Sequence, residues 1–405
     1  MANKKEIEKL EDLIKGTIDG ELVEQQVSSL LPPGENYGSV MYKVDFKVKT
    51  SSGEIKEYHA VAKCTPLNQV TQEMFNTQVT FKSEIAWYTT VIPTLKSFAK
   101  EQGLRRELDF FQQFYGARIS LDPESDKVDL DGVILTENLK YLGYGNVDRH
   151  VGFEATSTIS ILKDLATFHA IPLAIKIKNP ELFAKKLVPY CPDIGNGFTK
   201  MKPHFDQKLI KSLKEIPELT DFMPQIARNI EESSPFGVRE IREPWAGIMH
   251  LDFWCNNIMA TSEETPKVMI LDLQVPKQGS VAADLIFFLL TSVKFDVIKD
   301  RLDEFVELYY EEFIENLRQL KVDTSDFKLD GLLEEITEEV KKAEFRHSLS
   351  HSYQMLMNKG VAHIDTSDAK FKQENFDAKP QGLNERQIEK LRWISLEVLK
   401  RNWIL

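Results

Sequence analysis

The stretch MHLDFWCNNIM, residues 249–259, carries His250, Asp252 and Asn257 in an H-x-D-x-x-x-x-N arrangement. From Asn257 to Asp272 the chain reads NIMATSEETPKVMILD, two apolar runs, IMA and VMIL, around the polar turn TSEETPK. That pattern predicts a hairpin. Symmetric pairing about the midpoint of the turn, between Glu264 and Thr265, makes Asn257 and Asp272 cross-strand neighbours. An amide oxygen and a carboxylate then share one spot, with Asp252 in the loop just before it. Oxygen ligands of this kind suit Mg²⁺, which completes its shell with waters and substrate phosphates. Phosphoryl transfer needs such a metal, and a carboxylate that orients the attacking hydroxyl and accepts its proton. Asp252 is the candidate base; Asn257 and Asp272 are the candidate Mg²⁺ ligands. The competing reading is an ordinary surface turn. The H-x-D-x-x-x-x-N motif alone does not dismiss it, but an aspartate at this distance behind an apolar strand weighs against it.

The upstream half supplies an independent test. Phosphoryl transfer from ATP on this plan needs a lysine on an early strand for the α- and β-phosphates, and a glutamate on the next helix to steady it. HAVAKC ends a predicted strand with Lys63, and AVAK resembles the V-A-I-K of kinases. Glu84, in FKSEIAWY, follows 21 residues later on a predicted helix. In PPGENYGSV, Gly34 and Gly38 flank a turn whose backbone N–H groups suit phosphates, and Ser39 adds a hydroxyl donor. An ordinary turn is the simpler reading of those glycines. Backbone groups near Glu137 and Leu139, in ILTENL, are candidates for an adenine edge; a plain linker fits equally well. Asp284 opens an apolar helix and is a candidate brace for the catalytic loop backbone. His250 is expected to support the loop, and His169 to pack in the core. No G-x-x-x-x-G-K-[ST] or G-x-S-x-G is present, which excludes a P-loop enzyme and a nucleophile-elbow hydrolase.

These residues need elements to hold them. VMYKVDFKVKT alternates as a half-buried strand, with Met41 out of phase, and pairs through SSGE with EIKEYHAVAKC. A helix is predicted over 70–91, with Phe81, Ile85 and Tyr88 on one face. GVILTENL is a short strand. Beyond Tyr141 the pattern turns helical: TSTISILKDLATFHAI, segments between 206 and 232, and long stretches such as RLDEFVELYYEEFIENLRQL. WAGIMH is a short strand leading into the catalytic motif. The layout predicts an α+β chain. A small N-terminal β-rich, nucleotide-binding lobe with an N-terminal helix spans 1–139. A larger, mainly helical lobe, 140–405, carries the catalytic loop and the acceptor-binding region.

Composition narrows the function classes. A chain of 405 residues exceeds one small core. A net charge of −12 disfavours nucleic acid as a partner. Cys64, Cys191 and Cys255 are widely spaced with no C-x-x-C pair, against a cysteine-rich zinc site and for a reducing compartment. MANKKEIEKLEDLIKG lacks the apolar core of a signal peptide. The apolar run LIFFLLTSV is too short to span a bilayer. A cytoplasmic protein with no membrane attachment and no obligate protein partner is expected.

GENYGSVMYKV, VAKC, FKSEIAWY, ILTENL, LATFHA, HLDFWCNNIM, ILDLQ and ADLIFFL, in this order over about residues 30–320, resemble the ecdysteroid kinase-like family, found mostly in insects. DFWCNNIM and ILDLQ are the most specific, because protein kinases do not share them. The family is related to choline kinases and aminoglycoside phosphotransferases. The resemblance implies a bilobal protein-kinase-like fold and transfer of the γ-phosphoryl of ATP, with Mg²⁺, to an alcohol acceptor, an ecdysteroid or related sterol. Lys63 would hold the α/β-phosphates, Glu84 would orient Lys63, Asp252 would be the base, and Asn257 and Asp272 would hold Mg²⁺. Trp245, Trp254, Phe345 and Tyr353 are candidates for lining an apolar acceptor pocket. A xenobiotic alcohol or phenol is an equal alternative as acceptor, and an amino-alcohol a weaker one. Two positions depart from the family pattern: Leu251 stands where glycine is usual, and Leu273 where phenylalanine is frequent. Leu251 is the one support for a rival reading, a non-catalytic kinase-fold protein that binds a hydrophobic ligand. A protein kinase is weaker still, because A-P-E and D-F-G are missing.

Overall fold

Alternation builds the first sheet. In VMYKVDFKVK, Tyr42, Val44, Phe46 and Val48 fall on one face and are buried, while Lys43, Asp45 and Lys47 stand on the other. The computed structural model describes residues 6–30, 38–192, 195–234, 237, 240–357 and 382–404. It separates into two compact units. Met1–Tyr88 and Phe111–Tyr144 belong to the first; Thr89–Phe110, Gly145–Asn358 and Gln381–Leu405 belong to the second.

The first unit begins with a short helix, α1 (Leu10–Ile14). Five strands follow: β1 (Glu21–Ser29), β2 (Val40–Lys49), β3 (Ile55–Cys64), β4 (Phe114–Arg118) and β5 (Val133–Glu137). They form one antiparallel sheet in the order β1-β2-β3-β5-β4. Val44, Phe46, Val48, Ala60, Ala62, Val133 and Leu135 make its buried face, and Leu10, Leu13 and Ile14 of α1 pack on it. Gly116 is what lets α1 approach β4: a Cβ there would lie 1.9 Å from the Leu13 carbonyl oxygen. Two strands are invisible to alternation. β1, ELVEQQVSS, is an exposed polar edge, and β4 is only five residues long.

The helix predicted over 70–91 is broken and longer. α2 (Gln69–Met74) stops, and α3 (Thr77–Ala86) restarts after Asn76, which adopts φ 47°. Asparagine tolerates that left-handed conformation better than most residues. The helical path then passes Val91 through a π-helical turn, Trp87–Val91, into α4 (Ile92–Gln102). Pro93 lies in the first turn of α4, where no intrahelical N–H is needed, and Gly103 caps its end at φ 86°.

The second unit is mainly helical. After α4 come α5 (Ala155–Lys178), α6 (Pro180–Lys186), α7 (Gly195–Leu213), α8 (Met223–Glu232), α9 (Ala282–Ser292), α10 (Phe295–Gln319), α11 (Leu329–Glu339), α12 (Phe345–Met355) and α13 (Glu385–Lys400). Two small antiparallel pairs interrupt the helices. β6 (Ala246–Met249) pairs with β9 (Lys277–Ser280), and β7 (Ile258–Ala260) with β8 (Val268–Ile270).

α5 runs through Pro172, past the point where its pattern suggested an end. An interior proline costs about 3 kcal/mol. Burial of Ile161, Leu162, Leu165, Phe168, Leu173 and Ile175, at about 1.5–3 kcal/mol each, outweighs that cost. By length and composition α5 is apolar enough to cross a membrane, but 83% of its apolar window is buried inside the unit, as in a core helix.

Candidate active site

In the first unit, Lys63 is the penultimate residue of β3, a strand paired on both sides. It stands opposite Met41 of β2 and Ile134 of β5, so two ladders fix its backbone. Its Nζ lies 2.5 Å from Glu84 Oε2 on α3, a carboxylate that is almost wholly buried. Charge-assisted bonds in a low-dielectric setting are strong, and a buried carboxylate left without its cation is costly. Ser39 is buried, with its hydroxyl 3.6 Å from Met41 Sδ. Gly38 lies in a bend just before β2, and Gly34 lies outside the described residues. The Glu137 N–H donates to the Gln113 carbonyl (2.9 Å), and the Glu137 carbonyl accepts from Gln112 Nε2 (3.3 Å). Both backbone groups of Glu137 therefore have partners within the unit. Leu139 opens a 3₁₀ turn, Leu139–Leu142, and its carbonyl accepts from the Tyr144 N–H (3.1 Å).

In the second unit the predicted hairpin forms, but its register is one residue from the symmetric expectation. Ile258 faces Ile270, Met259 faces Met269 and Ala260 faces Val268. The Leu271 N–H donates to the Asn257 carbonyl at 2.9 Å, so Asn257 faces Leu271 and not Asp272. The turn explains the slip. Thr261 and Lys267 close it, with the Thr261 N–H on the Lys267 carbonyl and the Lys267 N–H on Thr261 Oγ1, both at 3.0 Å. The loop between them holds an odd number of residues, which moves the pairing axis onto one residue. Asp272 itself takes φ 63°, which turns it out of the strand direction.

The two carboxylates nonetheless share one neighbourhood. Asp252 is half-buried; desolvation, then the charge of Asp272, push its carboxyl above the ordinary value. A hydrogen bond from Asn257 opposes that rise without cancelling it. Asn257 Nδ2 donates to Asp252 Oδ2 (2.8 Å) and to the Asp252 carbonyl (2.9 Å). Its two amide hydrogens are thus spent on Asp252, so its oxygen is the atom it could offer to a metal. Gln274 Nε2 donates to Asp272 Oδ2 at 3.2 Å.

The donor set fits Mg²⁺: the Asp272 carboxylate and the Asn257 amide oxygen, with no sulfur or imidazole between them. Among the described residues no group of three or more His, Cys, Asp or Glu side chains forms a dedicated metal cage. Mg²⁺ held partly by substrate phosphates needs none.

What positions this cluster is α9. Asp284, in its first turn, is buried. Its Oδ2 accepts the His250 N–H (2.5 Å) and its Oδ1 the Leu251 N–H (2.9 Å). Eight residues along the helix, roughly 12 Å, Ser292 Oγ accepts the Cys255 N–H at 3.2 Å. One helix therefore grips the catalytic loop on both sides of Asp252. His169 Nε2 lies 3.0 Å from Asp284 Oδ2, and its Nδ1 lies 2.7 Å from the Tyr309 hydroxyl. Burial alone would raise the Asp284 carboxyl. The hydrogen bonds from His169 and from the His250 N–H hold it below the ordinary value.

His250 ties the loop to the hairpin. Its Nε2 lies 2.8 Å from the Leu271 carbonyl oxygen, which only accepts, so Nε2 carries the proton. Nδ1 is then the acceptor for the Asp252 N–H, at 3.3 Å. One imidazole so couples the residue before Asp272 to Asp252. Leu251 adopts φ 69°, the conformation that explains the family's glycine. The leucine is held there by Asp284 and by burial beside Met249, Val275 and Ala283.

The four aromatic candidates divide. Trp245 packs on Phe313 and Phe327, and Phe345 is wholly buried; both are core residues. Trp254 lies against His351, and Tyr353 is half-buried on α12. The α12 histidines, His347 and His351, were missed by the sequence reading. Their signal was the four-residue spacing in FRHSLSHSY, which puts both rings on one helix face. His347 Nδ1 lies 2.9 Å from Glu344 Oε2, and its ring stacks on Phe287 at 4.0 Å.

The ecdysteroid kinase-like family matches residues 33–322. No curated protein matches the sequence. Among solved structures, an ethanolamine kinase from Plasmodium vivax is similar at 11% identity and TM-score 0.43, covering 93% of this chain and 84% of that one. An aminoglycoside phosphotransferase from Alicyclobacillus acidocaldarius is similar at 10% identity and TM-score 0.41, covering 96% and 92% respectively. Likeness this loose carries no residue correspondence, so the site rests on the geometry above.

Proposed function

The chain belongs to the ecdysteroid kinase-like family of small-molecule kinases, and on that premise we propose that it transfers the γ-phosphoryl of ATP, with Mg²⁺, to the hydroxyl of a hydrophobic alcohol, an ecdysteroid or related sterol. The observation that carries this reading is the pairing of Asn257 with Asp252 on a loop gripped by α9, with the Asp272 carboxylate near enough to act on Asp252. Mg²⁺, when bound by Asn257 and Asp272, neutralises charge on the phosphate oxygens.

The chain's own residues account for the rest. Lys63, steadied by Glu84, binds the α- and β-phosphates. Asp252 orients the acceptor hydroxyl and takes its proton. Its raised carboxyl makes it a better proton acceptor near neutral pH than an ordinary aspartate. Gly38 and Ser39, with Gly34 before them, lie ahead of β2 as phosphate contacts in this reading. The segment at Glu137 and Leu139 serves adenine, through groups other than the Glu137 backbone.

Leu251 does not favour the non-catalytic alternative, because its N–H keeps the bond to Asp284 and the loop keeps its shape. The three free thiols, Cys64, Cys191 and Cys255, suit the reducing cytosol that this reading assigns. The partner is the small-molecule acceptor, with no nucleic acid, membrane or obligate protein partner required. The test is ADP release with MgATP over a panel of sterol, phenolic and xenobiotic alcohols, beside Asp252→Asn. Turnover in the wild type that is lost in the variant supports the reading. Failure of the wild type to bind MgATP overturns it.

A further inference from the structure

Within the second unit, His351 is packed edge-on against two aromatic rings, Trp254 at 4.4 Å and Phe287 at 5.1 Å. Trp254 lies two residues from Asp252, and Phe287 also carries the stacked ring of His347. Both imidazole nitrogens of His351 are buried, and neither has a hydrogen-bond partner among the described residues. A buried polar atom without a partner is destabilising. An aromatic cage holding two such atoms is a poor piece of core and a good ligand wall, since small-molecule sites are apolar surfaces with a few convergent polar groups.

The surroundings select the ligand's charge. Among the described residues, the cations that act on His351 are Lys390 and Arg149. Burial first, with the positive charges of Lys390 and Arg149, holds the His351 imidazole neutral, well below its usual pKa. A neutral imidazole donates from one nitrogen and accepts at the other, which matches a hydroxyl. Trp254, one wall of the cage, stands two residues from Asp252 on the same loop, and His347 beside the cage is held by Glu344.

We propose that His351, caged by Trp254 and Phe287, is the specificity-determining residue for the acceptor. It hydrogen-bonds the hydroxyls of an uncharged, ring-bodied alcohol, while Arg149 and Lys390 turn away amine-bearing acceptors. The inference deepens the phosphotransferase reading and rests on it for the identity of the bound alcohol as acceptor.

The test uses the full chain with three probes: a polyhydroxylated steroid, 2-naphthol and choline. Binding is read by calorimetry and turnover by ADP release. His351→Phe keeps the ring and removes both nitrogens; His351→Gln keeps a donor and an acceptor and controls for folding. The expected result is a rise of about 10–100-fold in the KM or Kd for the steroid in His351→Phe, with partial retention in His351→Gln. The KM for ATP and kcat should stay within about twofold, as removal of ground-state acceptor binding requires. Choline should neither bind nor turn over. Unchanged steroid affinity in a folded His351→Phe, choline accepted as readily as the steroid, or no binding of either neutral alcohol to a wild type that binds MgATP would each overturn the proposal. Steroid binding lost in the variant without any phosphoryl transfer would sink the kinase reading alone; transfer indifferent to His351 would sink this inference alone.

Discussion

In the first unit, Lys63 is placed by two strand ladders and one ion pair to Glu84. In the second, the loop from His250 to Asn257 has no ladder along most of its length and hangs from side chains: Asp284, Ser292, His250 and Asn257. Backbone pairing fixes a residue through many weak bonds that no single substitution removes. A loop held by one buried carboxylate concentrates its geometry in that carboxylate. The two regions should therefore respond differently to mutation, with chemistry and stability separable in the first and entangled in the second.

The largest effect expected is on catalysis. Asp252→Asn should lower kcat by about 10³-fold, the scale of a lost general base, with ATP affinity retained in a calorimetric titration. Next comes the carboxylate from which the loop hangs. Asp284→Ala leaves the His250 and Leu251 N–H groups and His169 without their acceptor, and should cost about 3–5 kcal/mol in urea unfolding. A loss below about 1 kcal/mol, typical of an ordinary surface residue, would erase the contrast between the two regions.

Leu251→Gly tests how the loop tolerates its departure from the family pattern. Relief of left-handed strain returns about 1–2 kcal/mol, whereas removal of a buried leucine side chain costs about 2–5 kcal/mol. Net destabilisation of about 2 kcal/mol is therefore expected from the larger cavity term, with the acceptor KM unmoved. Net stabilisation would show that strain dominates. In the first unit, Glu84→Gln keeps the volume and both ladders. It should weaken ATP binding about tenfold, the scale of a charge-assisted bond, while shifting the melting temperature little.

The smallest effect concerns pH. The Asp252 carboxyl is raised in the folded protein, so its charged form costs stability above that raised value. The cost fades as pH falls toward the ordinary carboxylate value, where the folded state is already protonated. Asp252→Asn should therefore raise the urea midpoint at neutral pH, and the gain should shrink on acidification. Asp284 has the opposite sign: its lowered carboxyl stabilises above the ordinary value, and that contribution is lost as pH falls through its folded pKa. A gain for Asp252→Asn that grows on acidification would contradict the shared carboxylate neighbourhood.

The sequence by itself determined which groups are available for chemistry and which local elements carry them. Alternation in VMYKVDFKVK made a strand, the apolar run after Asp284 made a helix, and the polar turn at TSEETPK made a hairpin, because each depends on residues close in the chain. Tertiary structure decided the rest. The odd turn set the hairpin register, packing carried α5 past Pro172, and α9 became the ruler for the catalytic loop. The meeting of His351 with Trp254 and Phe287 joins residues 97 and 64 positions apart. No local pattern encodes such a meeting, since its energy comes from burial that exists only once the helices have packed.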